Sequence, residues 1–400
     1  MAILAVNAGS SSLKFSLHPL KDGQVQPFVL SGTIQGLEPQ GSPSMDWKYL
    51  GQKHTEALTT QDGGSAFAAA LSTVRALLQR LEATDIEAVA HRVVHGGGVF
   101  TASVVVTDEV LSILSGFHSL APLHQVHNLE GIRQFRAAFP KVAQIACFDT
   151  AYHATMPEVD YAFALPRALQ DQGVRRYGFH GLSYQYIMSV LQQQTIRGNG
   201  RVVMAHLGNG ASLCAALAGS SVATTMGFSA LDGLMMGTRS GSLDAGVLLY
   251  LMEQGWTHAQ METLLYKQSG LLGVSGISAD MRKLRADGSV NALRAIHQFT
   301  HRVIRETGAL VACLGGLDAL AFSGGIGEND AELRAQVCER LAWLGIRIDA
   351  QRNQAASGKA ACAIHAPDSS VEIWVIPTDE GRVAAREAAA LLRQQSWQAS

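Results

Sequence analysis

Cysteine is scarce in this chain: its 400 residues hold five, Cys147, Cys214, Cys313, Cys338 and Cys362, scattered singly and with no Cys-x-x-Cys pair. That excludes a disulfide scaffold and offers no zinc-type spacing, so reduced, small core residues are expected. No apolar run approaches the ~20 residues that a membrane helix needs. The opening Met1–Val6 has neither a basic flank nor a cleavage site and reads as a strand, not a signal peptide. A soluble, cytoplasmic chain is expected. Charge is sparse too, with 31 basic against 33 acidic residues, 16% charged and a net charge of −2. Without a basic field, neither nucleic acid nor an anionic membrane is an expected partner. An anionic ligand must instead be met by a few placed arginines. The length suits two or three domains with sizeable cores.

What the chain does have is a hydroxyl-rich turn between two apolar runs, Ile3-Leu-Ala-Val-Asn7-Ala-Gly9-Ser10-Ser11-Ser12-Leu-Lys14-Phe-Ser-Leu17. Residues 3–6 read as a buried strand, and residues 13–17 alternate, with Leu13, Phe15 and Leu17 on one face. Gly9 allows a tight turn, the serines offer hydroxyls and backbone N–H groups, and Lys14 adds a point charge. This is strand–turn–strand, unlike the glycine-rich P-loop that runs into a helix. It reads as a phosphate cradle or as an ordinary hairpin with a polar turn. The pattern returns at Val202–Leu217, where Gly208-Asn209-Gly210 and Ser212 separate two apolar strands, hinting at an internal duplication. A third glycine block, Ser323-Gly-Gly-Ile-Gly327, follows an apolar strand and leads into a helix, with Asn329-x-x-Glu332 as its expected cap. Phe67, Leu71, Val74, Leu78 and Leu81 predict an amphipathic helix over 64–83. Strands are expected at 86–90 and 142–148, the second delivering Asp149 at its end, where ligands gather in open α/β sheets. Residues 354–370 read as an exposed connection before a last strand at 371–376, and 384–392 as a helix returning to the first domain.

The segment Asn7-x-Gly9-Ser10-Ser11-Ser12-x-Lys14-Phe15 resembles the opening signature of the acetate kinase (acetokinase) family, within the acetate and sugar kinase, Hsp70 and actin superfamily. The resemblance continues through His91-Arg92-Val-Val-His95-Gly-Gly, Ala121-Pro-Leu-His124, Phe148-Asp149-Thr-Ala-Tyr-His153 and Arg175-Arg-Tyr-Gly-Phe-His180-Gly. It resumes at His206-Leu-Gly-Asn-Gly210, Met236-Gly-Thr-Arg239-Ser-Gly, Ser323-Gly-Gly-Ile-Gly-Glu-Asn329 and Pro377-Thr-Asp-Glu380. It implies an α/β fold of two similar actin/Hsp70-like (ribonuclease H-like) domains facing a central cleft. These are an N-terminal domain over 1–150, with a tail at about 381–400 packing back on it, and a nucleotide-binding domain over 151–380. It also implies an ATP:acetate phosphotransferase: Mg²⁺-dependent (Mn²⁺ substituting), reversible, forming acetyl phosphate and ADP, and homodimeric.

Such a reaction needs no general base, because a carboxylic acid of pKa about 4–5 is already ionised at neutral pH. The work is to bring an anion against a triphosphate and hold the phosphoryl group in line, which asks for arginines, a histidine donor and Mg²⁺. Arg92, with its planar fork, suits a carboxylate. Arg239, in the glycine-flanked and apparently flexible stretch Gly237-Thr-Arg-Ser-Gly241, and His180 suit phosphoryl oxygens. By resemblance these are the substrate-binding arginine and two transition-state stabilisers. Asp149 matches the family's catalytic acid but is expected to orient Arg92 or a metal-bound water, since acetate has no proton to give. Asn7 and Glu380 match the metal ligands. The nucleotide falls to Lys14, His206, Leu207, Gly208, Asn209, Gly210, Asp280, Met281, Arg282, Gly325, Ile326, Gly327, Glu328 and Asn329. Read without the family, Asp280 and Arg282 are a charged pair in a polar loop. Val93, Leu123, Phe179 and Ala230 match the wall around the acid's methyl group. Departures fall at Gln125-Val126 for Asn-Pro, Ala230 for Pro, Asp232 for Glu and Asp379 for Asn. Ala230 would enlarge the pocket, which makes propionate the alternative substrate, with one methylene worth only ~1–3 kcal/mol. Direct transfer is expected, and a phosphoenzyme on a carboxylate stays open as the other route.

Overall fold

The computed structural model describes residues 1–9, 11–38, 41–58, 66–83, 85–117 and 125–398, which divide into two compact units. One is Met1–Ala151 with Asp379–Ser400, and the other is Tyr152–Thr378.

The first unit is built on β1 (Ala2–Ala8), β2 (Ser12–Lys21), β3 (Gln24–Val25), β4 (Leu30–Gln35), β5 (Ser44–Tyr49), β6 (Gln52–Ala57), β7 (Ile86–Val93), β8 (Val104–Val105) and β9 (Ala143–Phe148). They form one sheet in the order β6-β5-β4-β2-β1-β7-β9-β8, with β3 beside β2. β1 has no charged residue and is buried on both faces, as a strand at the centre of a covered sheet must be. It pairs antiparallel with β2 and parallel with β7, and β7 pairs parallel with β9. On β2, Leu13, Phe15 and Leu17 are buried while Lys14 is exposed, so the alternation sets which face meets the core. Leu71, Val74, Leu77 and Leu78 of the helix Ala66–Arg80 pack into that core with Leu4, Val6, Leu13 and Phe15. The last helix starts four residues earlier than expected and spans Glu380–Gln398. Val383, Ala384, Ala385 and Ala388 are buried where it lies on β1 and β7, and their small side chains let the backbones approach closely.

The second unit carries β10 (Arg201–Leu207), β11 (Ala211–Leu217), β12 (Ser220–Thr224), β13 (Ala319–Ser323), β14 (Cys362–Ala363) and β15 (Glu372–Val375) in the order β12-β11-β10-β13-β15-β14. Its run of two antiparallel pairs followed by two parallel ones repeats the pattern of β4-β2-β1-β7-β9. The repeated strand–turn–strand segments of the sequence are therefore the first two strands of two sheets with one topology. Tyr184, Ile187, Met188 and Leu191 of the helix Gly181–Gln194 cover one face. The long helix Val290–Leu314, with Ile296, Phe299 and Val303 buried, lies against β10, β11 and β12.

Two expectations need correcting here. Residues 354–370 are not a plain exposed connection, because β14 lies within them and pairs antiparallel with β15 at the sheet edge. The cap of the helix Ala331–Arg340 is Asp330, whose carboxylate accepts from the Leu333 N–H at 2.9 Å, not Asn329. Asn329 instead ends the short helix Gly324–Asn329 that follows β13 directly.

Candidate active site

In the first unit, the parallel register of β7 and β9 sets Arg92 beside Cys147 and Val93 beside Phe148, so the next residue, Asp149, emerges next to Arg92. The Asp149 N–H donates to the Val93 carbonyl at 3.0 Å. Arg92 clasps Asp149 with both prongs, Nε donating to Oδ1 at 3.0 Å and Nη2 to Oδ2 at 2.6 Å. Its Nε also lies 3.5 Å from Glu380 Oε2. Asp149 is 1% exposed and Arg92 21%. Burial opposes the guanidinium charge, but Asp149 and Glu380 outweigh it and hold Arg92 above its ordinary range. Arg92, Glu380, Asn7 and Lys14 line one small cavity of about 140 Å³ with Phe15 and Gly381. Lys14, expected at the nucleotide, thus sits with the expected metal and carboxylate groups.

In the second unit, His180 stands before the helix Gly181–Gln194 at φ 59°, a left-handed conformation uncommon for a residue with a side chain. Its Nδ1 lies 2.8 Å from Ser212 Oγ on β11, and its ring stacks on His206 at 4.3 Å between centroids. His206 Nδ1 lies 2.8 Å from Ser183 Oγ. Arg239 does not sit in a flexible loop. The Gly237 N–H donates to the Asn209 carbonyl, Ser269 N–H to Thr238, and Leu271 and Leu272 N–H to Met236 and Gly237. This pins the turn from two sides because Gly270, at φ 66°, lets the backbones meet where a Cβ would lie 2.2 Å from the Met236 carbonyl. Arg239 Nη1 donates to the Ala230 carbonyl at 2.9 Å. A Cβ added at Gly210 would sit 3.4 Å from His180 Nε2 and 3.9 Å from Arg239 Nη1. The two expected phosphoryl donors therefore converge on the space that this glycine leaves open.

The same unit holds a cavity of about 1160 Å³, a little larger than the usual small-ligand site. Of the expected nucleotide residues, Gly208, Asn209, Asp280, Met281, Arg282, Gly325, Ile326 and Asn329 line it. Leu207 and Gly327 are buried, and the Glu328 carboxylate turns inward to accept from the Gly324 N–H at 2.9 Å and the Thr378 N–H at 3.3 Å. Burial pushes Glu328 above the usual carboxylate range, against those two donors. His206 and Gly210 belong to the donor cluster. Asp280 and Arg282 form the expected charged pair, the Arg282 side chain gripping both carboxylate oxygens. Asp280, at the end of its loop, also caps the helix Met281–Asp287 by accepting from the Arg282 N–H at 2.9 Å. Sequence reasoning missed Arg285, Asp330, Glu332 and Gln354 on the same cavity. Arg285 bonds Asp330 at 3.2 Å and Glu332 at 2.5 Å, and the helix-cap position of Asp330 was the one signal available.

The expected acyl-pocket residues fare differently. Val93 is fully buried in a core with Val106, Leu129, Ile132 and Phe148. Phe179 is 2% exposed, and its carbonyl accepts from His153 at 2.9 Å. Leu123 lies outside the described residues. Ala230 meets Arg239 through its carbonyl.

The Acetokinase family model matches residues 2–386. Acetate kinase from Rhodopseudomonas palustris is 49% identical over 398 residues, 96% of each chain. The propionate kinase structure from Francisella tularensis superposes with a TM-score of 0.88 at 36% identity, covering 96% of this chain and 98% of that one. Porphyromonas gingivalis acetate kinase gives 0.87 at 34% identity, covering 98% and 99%. Two sheets of one topology, each presenting polar residues where its parallel strands end, thus define a kinase of the actin/Hsp70-like sugar-kinase fold. Within that class, the chain belongs to the acetokinase family.

Proposed function

We propose that the chain transfers the γ-phosphoryl group of ATP in line to the carboxylate of acetate, giving acetyl phosphate and ADP, reversibly. The observation that carries this reading is the convergence of His180 Nε2 and Arg239 Nη1 on the opening at Gly210, beside the Gly208–Asn209 lining of a nucleotide-sized cavity. A carboxylate oxygen attacks phosphorus as the bond to the β-phosphate oxygen breaks, and no proton has to move. His180 and Arg239 then donate to the equatorial oxygens, where charge is spread in the transition state. Unit 152–378 acts as the nucleotide domain, with Asn209, Asp280, Arg282, Ile326 and Asn329 around the nucleoside. Arg92 holds the acceptor carboxylate. Asp149, clasped at both oxygens by Arg92, serves as a positioning residue and not as a base.

Mg²⁺ suits the remaining groups. It takes one or two protein oxygens and leaves its other positions to water and phosphate. Asn7 and Glu380 supply an amide oxygen and a carboxylate on one small cavity, and among the described residues no three His, Cys, Asp or Glu side chains gather as an all-protein cage would require. When bound there, the ion, or Mn²⁺ in its place, neutralises phosphate charge. Among the described residues no helix is long and apolar enough to cross a membrane, which fits a cytoplasmic enzyme. A homodimer is proposed on the exposed apolar side chains Leu249, Tyr250 and Met252 of the helix Ala245–Glu253.

Hydroxamate trapping of the acyl phosphate with ATP and Mg²⁺ tests the reaction across acetate, propionate and butyrate, and ADP release tests glycerol, whose phosphate ester hydroxylamine does not trap. Acetate is expected to give the highest kcat/KM. Propionate kinase activity is the second reading, favoured by the likeness to the Francisella propionate kinase structure. Product from glycerol alone would overturn both. Arg239→Ala is expected to lower kcat about 10²–10³-fold while ADP binding is kept; retention of half the wild-type kcat would remove Arg239 from the mechanism.

A further inference from the structure

We propose that Tyr184 and Ser212 are positioning residues that lock His180 as its Nε2–H tautomer, so that the ring always presents a donor to the opening at Gly210. The inference rests on the reading of His180 as a donor to the transferring phosphoryl group, and it adds what makes it one.

A neutral imidazole carries one proton, and which nitrogen holds it is decided by what the other nitrogen meets. His180 Nδ1 meets Ser212 Oγ at 2.8 Å, and Ser212 Oγ meets Tyr184 Oη at 2.5 Å. Ser212 and Tyr184 are both 0% exposed, so no bulk water competes for their protons. Burial pushes the Tyr184 phenol well above its ordinary range, so it stays protonated. Its proton needs an acceptor, and Ser212 Oγ is the side-chain acceptor in place. Ser212 has one proton of its own, which then goes to Nδ1. With Nδ1 accepting, the imidazole proton belongs on Nε2. The opposite chain, Nδ1–H to Ser212 to Tyr184, would strand the phenol proton in a dry interior, where an unpaired donor is destabilising.

A second arm holds the backbone. His153 Nε2 donates to the Phe179 carbonyl at 2.9 Å, and Ser221 Oγ lies 2.8 Å from His153 Nδ1. Burial, outweighing the bond to Phe179, brings His153 down to about 4, so it stays neutral with this bond intact at physiological pH. Gly178, at φ 75°, lets the chain pass where a Cβ would lie 2.6 Å from the His153 ring. The left-handed His180 is thus fixed in backbone by His153 and in ring by Ser212 and Tyr184. Ser212 lies on β11, two residues from Gly210, so one strand-and-turn segment sets both the opening and the tautomer that faces it.

The test is nitrogen-15 NMR of histidine-labelled enzyme with ADP and Mg²⁺, His180 being assigned by the signal lost in His180→Gln. Wild type is expected to show Nε2–H. Ser212→Ala is expected to bring in the Nδ1–H form and lower kcat about tenfold or more, with both KM values within about threefold. Tyr184→Phe, which keeps the ring packing, is the milder variant if Ser212→Ala folds poorly, and it is expected to shift the same signal partway. Nδ1–H in the wild type, or a Tyr184→Phe enzyme with an unchanged His180 signal and unchanged kcat, would overturn the proposal. If His180→Gln keeps full kcat, the donor role of His180 fails instead, whatever the tautomer.

Discussion

Arg92 carries its charge where little water reaches it, so the choice of replacement decides what an experiment on it measures. Its partner Asp149 is 1% exposed. Arg92→Leu would leave that carboxylate buried without its countercharge, and breaking such a pair costs about 3–5 kcal/mol. A fall in Tm is expected to dominate that variant. Arg92→Lys keeps a charge but loses the fork. It is expected to raise the KM for acetate about tenfold or more while the KM for ATP moves less than threefold; equal shifts in both would show that Arg92 organises the enzyme and does not hold the acid. Gly210→Ala probes the donor pair. Its added methyl would meet His180 Nε2 and Arg239 Nη1 at ordinary contact distances, 3.4 and 3.9 Å, so the fold tolerates it. It fills the space a phosphoryl oxygen would use, and kcat is expected to fall about 10²-fold at unchanged Tm. An active Gly210→Ala enzyme would place the transferring group elsewhere.

Secondary-structure elements meet the ligand cavity through backbone turns, and the turn after β13 is the most constrained of them. Gly324 has φ 75°, and a Cβ there would lie 2.7 Å from the Leu207 carbonyl of β10. Neither a strand-end carbonyl nor a positive φ yields easily. Gly324→Ala is expected to destabilise unit 152–378 by about 1–3 kcal/mol and to raise the KM for ATP, since Gly325 and Ile326 line the cavity. Thermal melts with and without ADP read both effects; an unchanged Tm would mean that the turn relaxes freely.

At the scale of the whole molecule, each unit contains a histidine buried in its neutral form. His91, beside Gln144, and His153, beside Phe179, are each brought from 6.5 to about 4, by burial above all. Above pH 6.5 neither state gains a proton. Between 6.5 and 4 the unfolded chain binds one at each site and the native chain does not, so stability falls as pH drops through that window. Each histidine contributes on the order of 3 kcal/mol by its lower end. Urea midpoints measured from pH 7.5 to 4.5 are expected to decline, less steeply in His153→Gln for the unit that contains it. Midpoints flat across the window would show that both rings ionise within the fold.

Local patterns were legible where the chemistry is local. The uncharged run of β1, the alternation of β2, the stripe at Leu71, Val74 and Leu78, and the glycine turns at Gly9, Gly208 and Gly325 each follow from residue type and spacing alone. So does the recurrence of strand, turn and strand, which the topology of the two sheets explains. Other features rest on partners far apart in sequence, and no window of the chain contains them. Parallel pairing of β7 and β9 brings Arg92 to Asp149 across 57 positions. The order of β10 and β11, with the helix Gly181–Gln194 on their face, stacks His180 on His206 and seats both against buried serines. Backbone hydrogen bonds to Asn209 and to the segment around Gly270 turned an apparently flexible arginine loop into a pinned one. Capping added a role to the paired Asp280 and moved the expected cap at Asn329 to Asp330, because a helix start depends on which N–H groups the fold leaves unpaired. Residue types determined the class of chemistry; the long-range pairing of strands decided which of those residues act together.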